Sequence, residues 1–319
     1  EPAKVPAAAP AAAAVAPASA GSVDWSKVPT KLVKLLYPGQ TSFEWIQTGT
    51  EHGGARAFKK GEACAGCHEG EQPDMGKKMV SGEKAETTPI PGKPASVPLS
   101  VQATHDGTNL TMRFQWPENP HVAIPFADGG KLDAENQVKL AFMIDQGKVA
   151  DADRSGCWST CHHDSKSMPD APAGGGVTKY LPQTRTEISL RDSPRGGGDK
   201  LKSADELKAL MNDGVFLDLV RWKSGGNVFE NGHVSSERVM TGGVAVTGSG
   251  KLEGGVWTLT LTRPLASSNP GDVSLEPGKT YTIGFAVHDD FTNARFHHVS
   301  VNYSLGLDNA EAGINVVKQ

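Results

Sequence analysis

From about residue 96 onward the chain repeatedly alternates apolar and polar positions. "VPLSVQATHDGTNLTMRFQW", "VKLAFMID", "VFLDLVRW", "GVAVTGSG", "VWTLTLTRPL", "TYTIGFAVHD" and "FHHVSVNYSLGL" mostly follow this period of two. That is the signature of half-buried antiparallel strands. An Asp106-Gly107 turn divides the first stretch into two strands. One segment breaks the theme. "SADELKALMNDG" predicts a helix with Ser203 as N-cap, Glu206 in the capping-box position and Gly214 as the stop. Several short strands separated by turns predict an antiparallel β-sandwich over 96–319.

The preceding sequence has a different texture. Residues 1–22 form an Ala/Pro tract, expected to be an extended leader with partial polyproline character. Residues 23–95 form a small, mostly α or irregular segment that includes "KLVKLLY", whose apolar spacing reads as helical, and Trp45. The Pro-rich stretch 89–97, "PIPGKPASV", is the joint to the sandwich. The expectation is a mainly β chain divided at 1–22, 23–95 and 96–319, with no internal repeat.

Composition narrows the class. The 319 residues suffice for one large or two modest domains. Gly (37) and Pro (21) favour turns and short strands over long helices. A net charge of -4 without any Lys/Arg run argues against nucleic acid as a partner. No stretch reaches the roughly 18–20 apolar residues that span a bilayer. The chain starts at Glu1, which fits a mature N-terminus left by signal-peptide removal and hence a periplasmic or secreted protein.

All four cysteines fall in two pairs, each followed at once by histidine. Cys64-Ala65-Gly66-Cys67-His68 has the C-x-x-C-H spacing of covalent haem attachment. Two thiols about one helical turn apart can meet the two haem vinyl groups, and the adjoining His68 then supplies the proximal ligand. Cys157-Trp158-Ser159-Thr160-Cys161-His162 has three intervening residues and keeps the same order, so it reads as a variant motif with His162 proximal. Disulfides or a redox dithiol would account for the cysteines but not for the repeated histidine. Zinc ligands usually cluster in one small unit, whereas 89 residues lie between Cys67 and Cys157. Two covalently attached haem c groups are expected.

Two protein ligands on one iron favour electron transfer, whereas an open face favours catalysis or gas binding. For the first haem the distal candidate is His52, 12 residues before Cys64 among glycines. Met75 and Met79 are alternatives, whose plainer role is packing on the porphyrin edge. For the second, His297 shares parity with Val299, Val301, Tyr303 and Leu305. It is therefore the expected ligand, and His298 should face out. His298 and Met168 are the alternatives. His163 is expected to face solvent or a propionate, and His288 with Asp289 to make hydrogen bonds at a strand end.

"GCWSTCHHDSKSMPDAP", "VFLDLVRWKSG", "VFENGHVSSERVM" and "FAVHDDFTNARFHHVS" resemble the haem-binding β-sandwich of the ethylbenzene-dehydrogenase gamma-subunit type. That domain also occurs in electron-transfer subunits of related molybdenum enzymes of the DMSO reductase family. The resemblance covers about 96–318 and implies a sandwich that holds one haem and passes electrons. In the b-type members of the family the haem is non-covalent, with methionine and lysine ligands. The lysine strand aligns with His297-His298-Val299-Ser300, which places His297 at the lysine position. The cysteines and the missing lysine mark a covalent, histidine-ligated branch.

The function expected is that of a periplasmic dihaem cytochrome, an electron carrier rather than an enzyme. Its partners would be redox proteins: a periplasmic molybdenum enzyme, a quinol oxidase module or another cytochrome. Such docking needs less than about 1,200 Å² of interface. The alternative is a haem enzyme of peroxidase or small-oxyanion reductase type with one open iron, served by His105, His121, Arg295 or His298. A redox or gas sensor is a third class, for which the chain offers no attached signalling domain.

Overall fold

The computed structural model describes residues 22–41, 43–47, 52–86, 89–120, 132–162, 179–187 and 200–319. Residues 1–21 of the leader, His121, His163 and Met168 lie outside the described residues, and of His162 only the backbone is described.

The fold is mainly β, as expected. Strand β1 is Lys31–Leu36. The predicted hairpin forms β2 (Ser96–His105) and β3 (Asn109–Pro117), with Gly107 at φ 92° and the Asp106 carboxylate accepting from the Thr108 and Asn109 amides. Then follow β4 (Lys139–Asp145), β5 (Cys161–His162), β6 (Lys179–Tyr180), β7 (Leu217–Lys223), β8 (Val228–Val234) and β9 (Arg238–Val239). The chain ends with β10 (Thr247–Glu253), β11 (Val256–Pro264), β12 (Thr280–His288), β13 (His298–Val299), β14 (Tyr303–Leu307) and β15 (Ile314–Lys318).

Two layers are built from these strands. One runs β10-β11-β3-β2 and the other β12-β4-β7-β8-β9. They are joined along one edge by two short rungs. At one end β1 pairs with β2 and β13, and β13 pairs with β12. At the other end β15 runs parallel to both β2 and β14, and β14 pairs with β12. The sandwich is thus closed by hydrogen bonds on that side, which removes two sheet edges. Inward-facing side chains fill the space between. Phe114 sits 6.0 Å from both Phe142 and Phe285, and Trp116, Trp222 and Trp257 cluster at one end. Arg263 of β11 crosses the core to Asp218 of β7 at 2.7 Å, both side chains fully buried.

The "KLVKLLY" segment is strand β1, not a helix. Val33 and Leu35 are fully buried while Leu32 and Lys34 face out, so the period of two governs 32–35. Leu36 adds a second apolar residue in a row because it lines the cavity of the first cysteine motif, and that extra residue mimics helical spacing. Six register pairs with β2 outweigh a local helix preference. The leading segment is therefore hydrogen-bonded into the sandwich.

The rest of that segment is helical, with α1 (Phe43–Gln47), α2 (Ala55–Lys59), α3 (Cys64–His68) and α4 (Gln72–Val80). A further helical turn, α5 (Ala152–Ser155), leads into the 3-10 turn Gly156–Ser159. Helix α6 (Ala204–Asn212) carries the predicted capping box, with Ser203 accepting from the Glu206 amide, and Gly214 follows at φ 84°. Among the described residues no helix is long and apolar enough to cross a membrane.

Two buried ion pairs fasten the leading segment to the sandwich. Lys93 meets Asp289 at 2.6 Å. Arg295 grips both carboxylate oxygens of Glu86 at 2.5 and 3.1 Å, and the Tyr37 hydroxyl donates to the same group at 2.7 Å. Burial alone would raise the Asp289 carboxyl, but His298 and Lys93 beside it hold it well below the usual carboxylate range.

Candidate haem sites at the two cysteine motifs

Helix α3 is the first cysteine motif itself. One helical turn places Cys64, half-buried, and Cys67, exposed, on successive turns of backbone, with His68 closing the helix. Burial pushes the Cys64 thiol up to about 11. His52 reaches the same place from the loop before α2. The rings of His52 and His68 have centroids 6.2 Å apart. Two imidazoles bound to opposite faces of one metal ion, each through a bond of about 2.0 Å, carry their ring centres about 6 Å apart. The ring planes are tilted by 41°, and each ring has its Nδ1 engaged. His52 Nδ1 lies 2.6 Å from the Ile46 carbonyl and His68 Nδ1 lies 3.2 Å from Glu71 Oε2. An acceptor on Nδ1 fixes the tautomer that leaves Nε2 as the ligating nitrogen.

Trp45 stacks on His52 at 5.4 Å and holds the ring from behind. Gly54 leaves room for the ring, because a Cβ there would stand 3.0 Å from two His52 ring atoms. Burial pulls His52 below the ordinary histidine value, favouring the neutral ring that a metal needs. His52, Cys64, His68, Met75 and Met79 all line one cavity of about 180 Å³, with Leu36, Trp45 and Val301 among its apolar walls. Met79 is buried with Tyr37, Trp45, Ile90 and Phe296. That is the packing role of a core methionine. These residues fit a haem: an attachment motif, two facing imidazoles and an apolar cavity occur together.

The second cysteine motif differs. Cys157 and Trp158 lie in the 3-10 turn, Cys161 opens β5, and β5 pairs with β6 (Cys161↔Tyr180, His162↔Lys179). Cys161 is fully buried beside Tyr180. Cys157 and His297 line the same cavity, together with Trp158, Thr160, Lys179, Arg295 and Val299. Its volume is about 30 Å³, so a porphyrin there requires these walls to spread. Gly284 of β12 gives the Cys157 sulfur its space, since a Cβ at 284 would stand 2.7 Å from Sγ. All four cysteines are free of disulfides.

His297 stacks on His288, with centroids 4.7 Å apart and planes within 12°, and His288 Nε2 lies 2.8 Å from the Ala294 carbonyl. Burial, and next the Lys179 charge, bring His297 down to about 3. His298 does not face out. It is fully buried, with Nε2 2.8 Å from the Pro94 carbonyl, Nδ1 3.5 Å from Asp289 and the Tyr37 ring alongside at 6.1 Å. His297 and His298 have different surroundings, but the expectation that His298 faces out is overturned, because the leading segment covers the face expected to be wet. His105 lies at the far end of β2 on Asp308, and Arg295 is tied to Glu86.

Sequence reasoning missed Trp158 and Lys179 as cavity neighbours of Cys157 and His297, and Gly284 as the residue that makes room for the Cys157 sulfur; Arg295, named as a contact for an open iron, lines that cavity. Gly284 had a signal, a glycine inside a strand pattern, which often marks close approach of another group.

A family profile described as Ethylbenzene dehydrogenase matches residues 22–253 and 228–300. The chain belongs to this family. It is 45% identical over 304 residues to a cytochrome c-552 of Stutzerimonas stutzeri, covering 94% of this chain and 92% of that protein. It is 30% identical over 298 residues to a cytochrome c-551 of Rhodocyclus tenuis, covering 93% and 99%. Among solved structures, a carbohydrate-binding module of Caldicellulosiruptor kristjanssonii aligns over 65% of both chains at 8% identity and a TM-score of 0.28, too distant to carry any argument.

Proposed function

We propose that this protein is a periplasmic c-type cytochrome that carries electrons between redox proteins through two six-coordinate haems. Cys64 and Cys67 hold the first haem, with His68 proximal and His52 distal. Cys157 and Cys161 hold the second, with His162 proximal and His297 distal. A haem so held supplies one-electron iron chemistry. The chain's own residues do the rest: Trp45 and the Ile46 carbonyl orient His52, Glu71 orients His68, and the apolar walls exclude water.

The observation that carries this reading is the facing pair His52–His68 at 6.2 Å, each ring with Nδ1 engaged. Two aligned relatives named as cytochromes support the same class. The second haem rests on the order of its motif and on the cavity shared by Cys157 and His297.

The test is the denatured intact mass of the full chain matured with haem. Two covalent adducts are expected. A single adduct would confine the reading to the first motif, and none would end it. In the matured protein, His52→Ala should open the first site to carbon monoxide; continued refusal would move the distal role to Met75 or another residue.

A further inference from the structure

The two cavities share a wall. Pro38, Thr41 and Trp158 line both. Trp158 is one of the three residues between Cys157 and Cys161, and its indole N–H donates to Thr41 Oγ1 at 2.9 Å, anchoring it to the loop after β1. A second observation brings the same regions together. Val299 lines the second cavity and Val301 the first. Two residues of chain span at most about 7 Å. A third is Arg154, which precedes Cys157 in the α5 turn. Its guanidinium donates to the Phe58 carbonyl at 2.5 Å and stacks on the Phe58 ring, just ahead of Cys64.

We infer that Trp158, fixed by Thr41, is a positioning residue that forms the partition between the two haem sites and sets how strongly the two groups sense each other. This rests on the two-haem reading and gives a task to the three-residue spacer. A spacer of two fits an attachment motif alone. The longer spacer also carries a large aromatic side chain back toward the first site. An indole is suited to that task because it is broad, rigid and apolar, and it needs only one hydrogen bond to be fixed.

The experiment uses the full-length matured protein. Denatured mass first counts the haems. Circular dichroism in the Soret band then reads the interaction between them, with a Cys157→Ser/Cys161→Ser chain as the single-haem control. The wild type should give a pair of oppositely signed bands that the control lacks. Trp158→Leu should keep both adducts and lose or reshape that pair, and Trp158→Phe should restore most of it. If Trp158→Leu does not fold, Thr41→Val must weaken the pair in the same direction. An unchanged pair in these variants overturns the inference. So does a wild type with two adducts whose spectrum is the plain sum of separate haems, which leaves the two-haem reading standing. Fewer than two adducts in the wild type removes both.

Discussion

The two cysteine motifs sit side by side but are built in opposite ways. The first is assembled almost entirely from one run of chain: His52, Cys64, His68, Met75 and Met79 are close in sequence and line one cavity. Its Cys67 is exposed and its two histidines are already opposed. The second draws on residues near 38–41, 157–160, 179 and 295–299, and its Cys161 is fully buried. A local site can be preorganised by helices and short loops. A site collected from distant strands is only as well formed as the sandwich around it.

That contrast can be broken by mutation. The largest effect is expected from Glu86→Ala. It leaves Arg295 buried without its carboxylate beside the second cavity, and removing one partner of such a pair typically costs about 3–5 kcal/mol. Denaturant unfolding should show the loss. Retention of full stability would mean that the Tyr37–Glu86–Arg295 group does not hold the leading segment in place.

Gly284→Ala comes next. The added methyl meets the Cys157 sulfur, and overpacking of this kind costs about 1–3 kcal/mol. Haem attachment at the second motif should fall while the first stays fully loaded, as read by intact mass; equal loss at both would make the two sites one cooperative unit. Gly54→Ala is the mirror experiment and should cost less stability, because the contact with His52 Cε1 and Nε2 is 3.0 Å rather than 2.7 Å. It should perturb the spectrum of the first haem alone.

The smallest change in stability, with a clear optical signature, is expected from His297→Met. Thioether sulfur favours ferrous iron, so a redox titration should show the second haem moving to higher potential. An unmoved potential would take the distal role from His297, and His288, stacked against it, would be the next ligand to examine.

Much of this was readable before the structure. The alternating strands, the Asp106-Gly107 turn and the Ser203/Glu206 capping box depend on local sequence, and all three appear where expected. The approach of His52 to His68 was also within reach, because only 12 residues separate His52 from Cys64. What local pattern did not disclose was anything decided by distant chain. β1 looked helical because Leu36 faces a cavity whose walls include Trp158 and Val301, far away in sequence. His298 looked solvent-facing because Pro94 and Tyr37 supply its cover from the leading segment. Trp158 looked like spacer because Thr41, its hydrogen-bond partner, belongs to another part of the chain.

The placement of β13 between β1 and β12 also orders events in time. A chain emerging N-terminus first presents both cysteine pairs long before residues 295–301 exist. The first motif takes most of its wall from residues 36–84, with Trp158 and Val301 added from farther along the chain, whereas the rung that carries His298 and Val299 must find β1 across nearly the whole sequence. Contacts of such long separation form slowly. The first motif therefore has most of its wall in place before the last strands dock, and the second gains His297 and Val299 only then, so the strand order of the sandwich sets which motif is enclosed first.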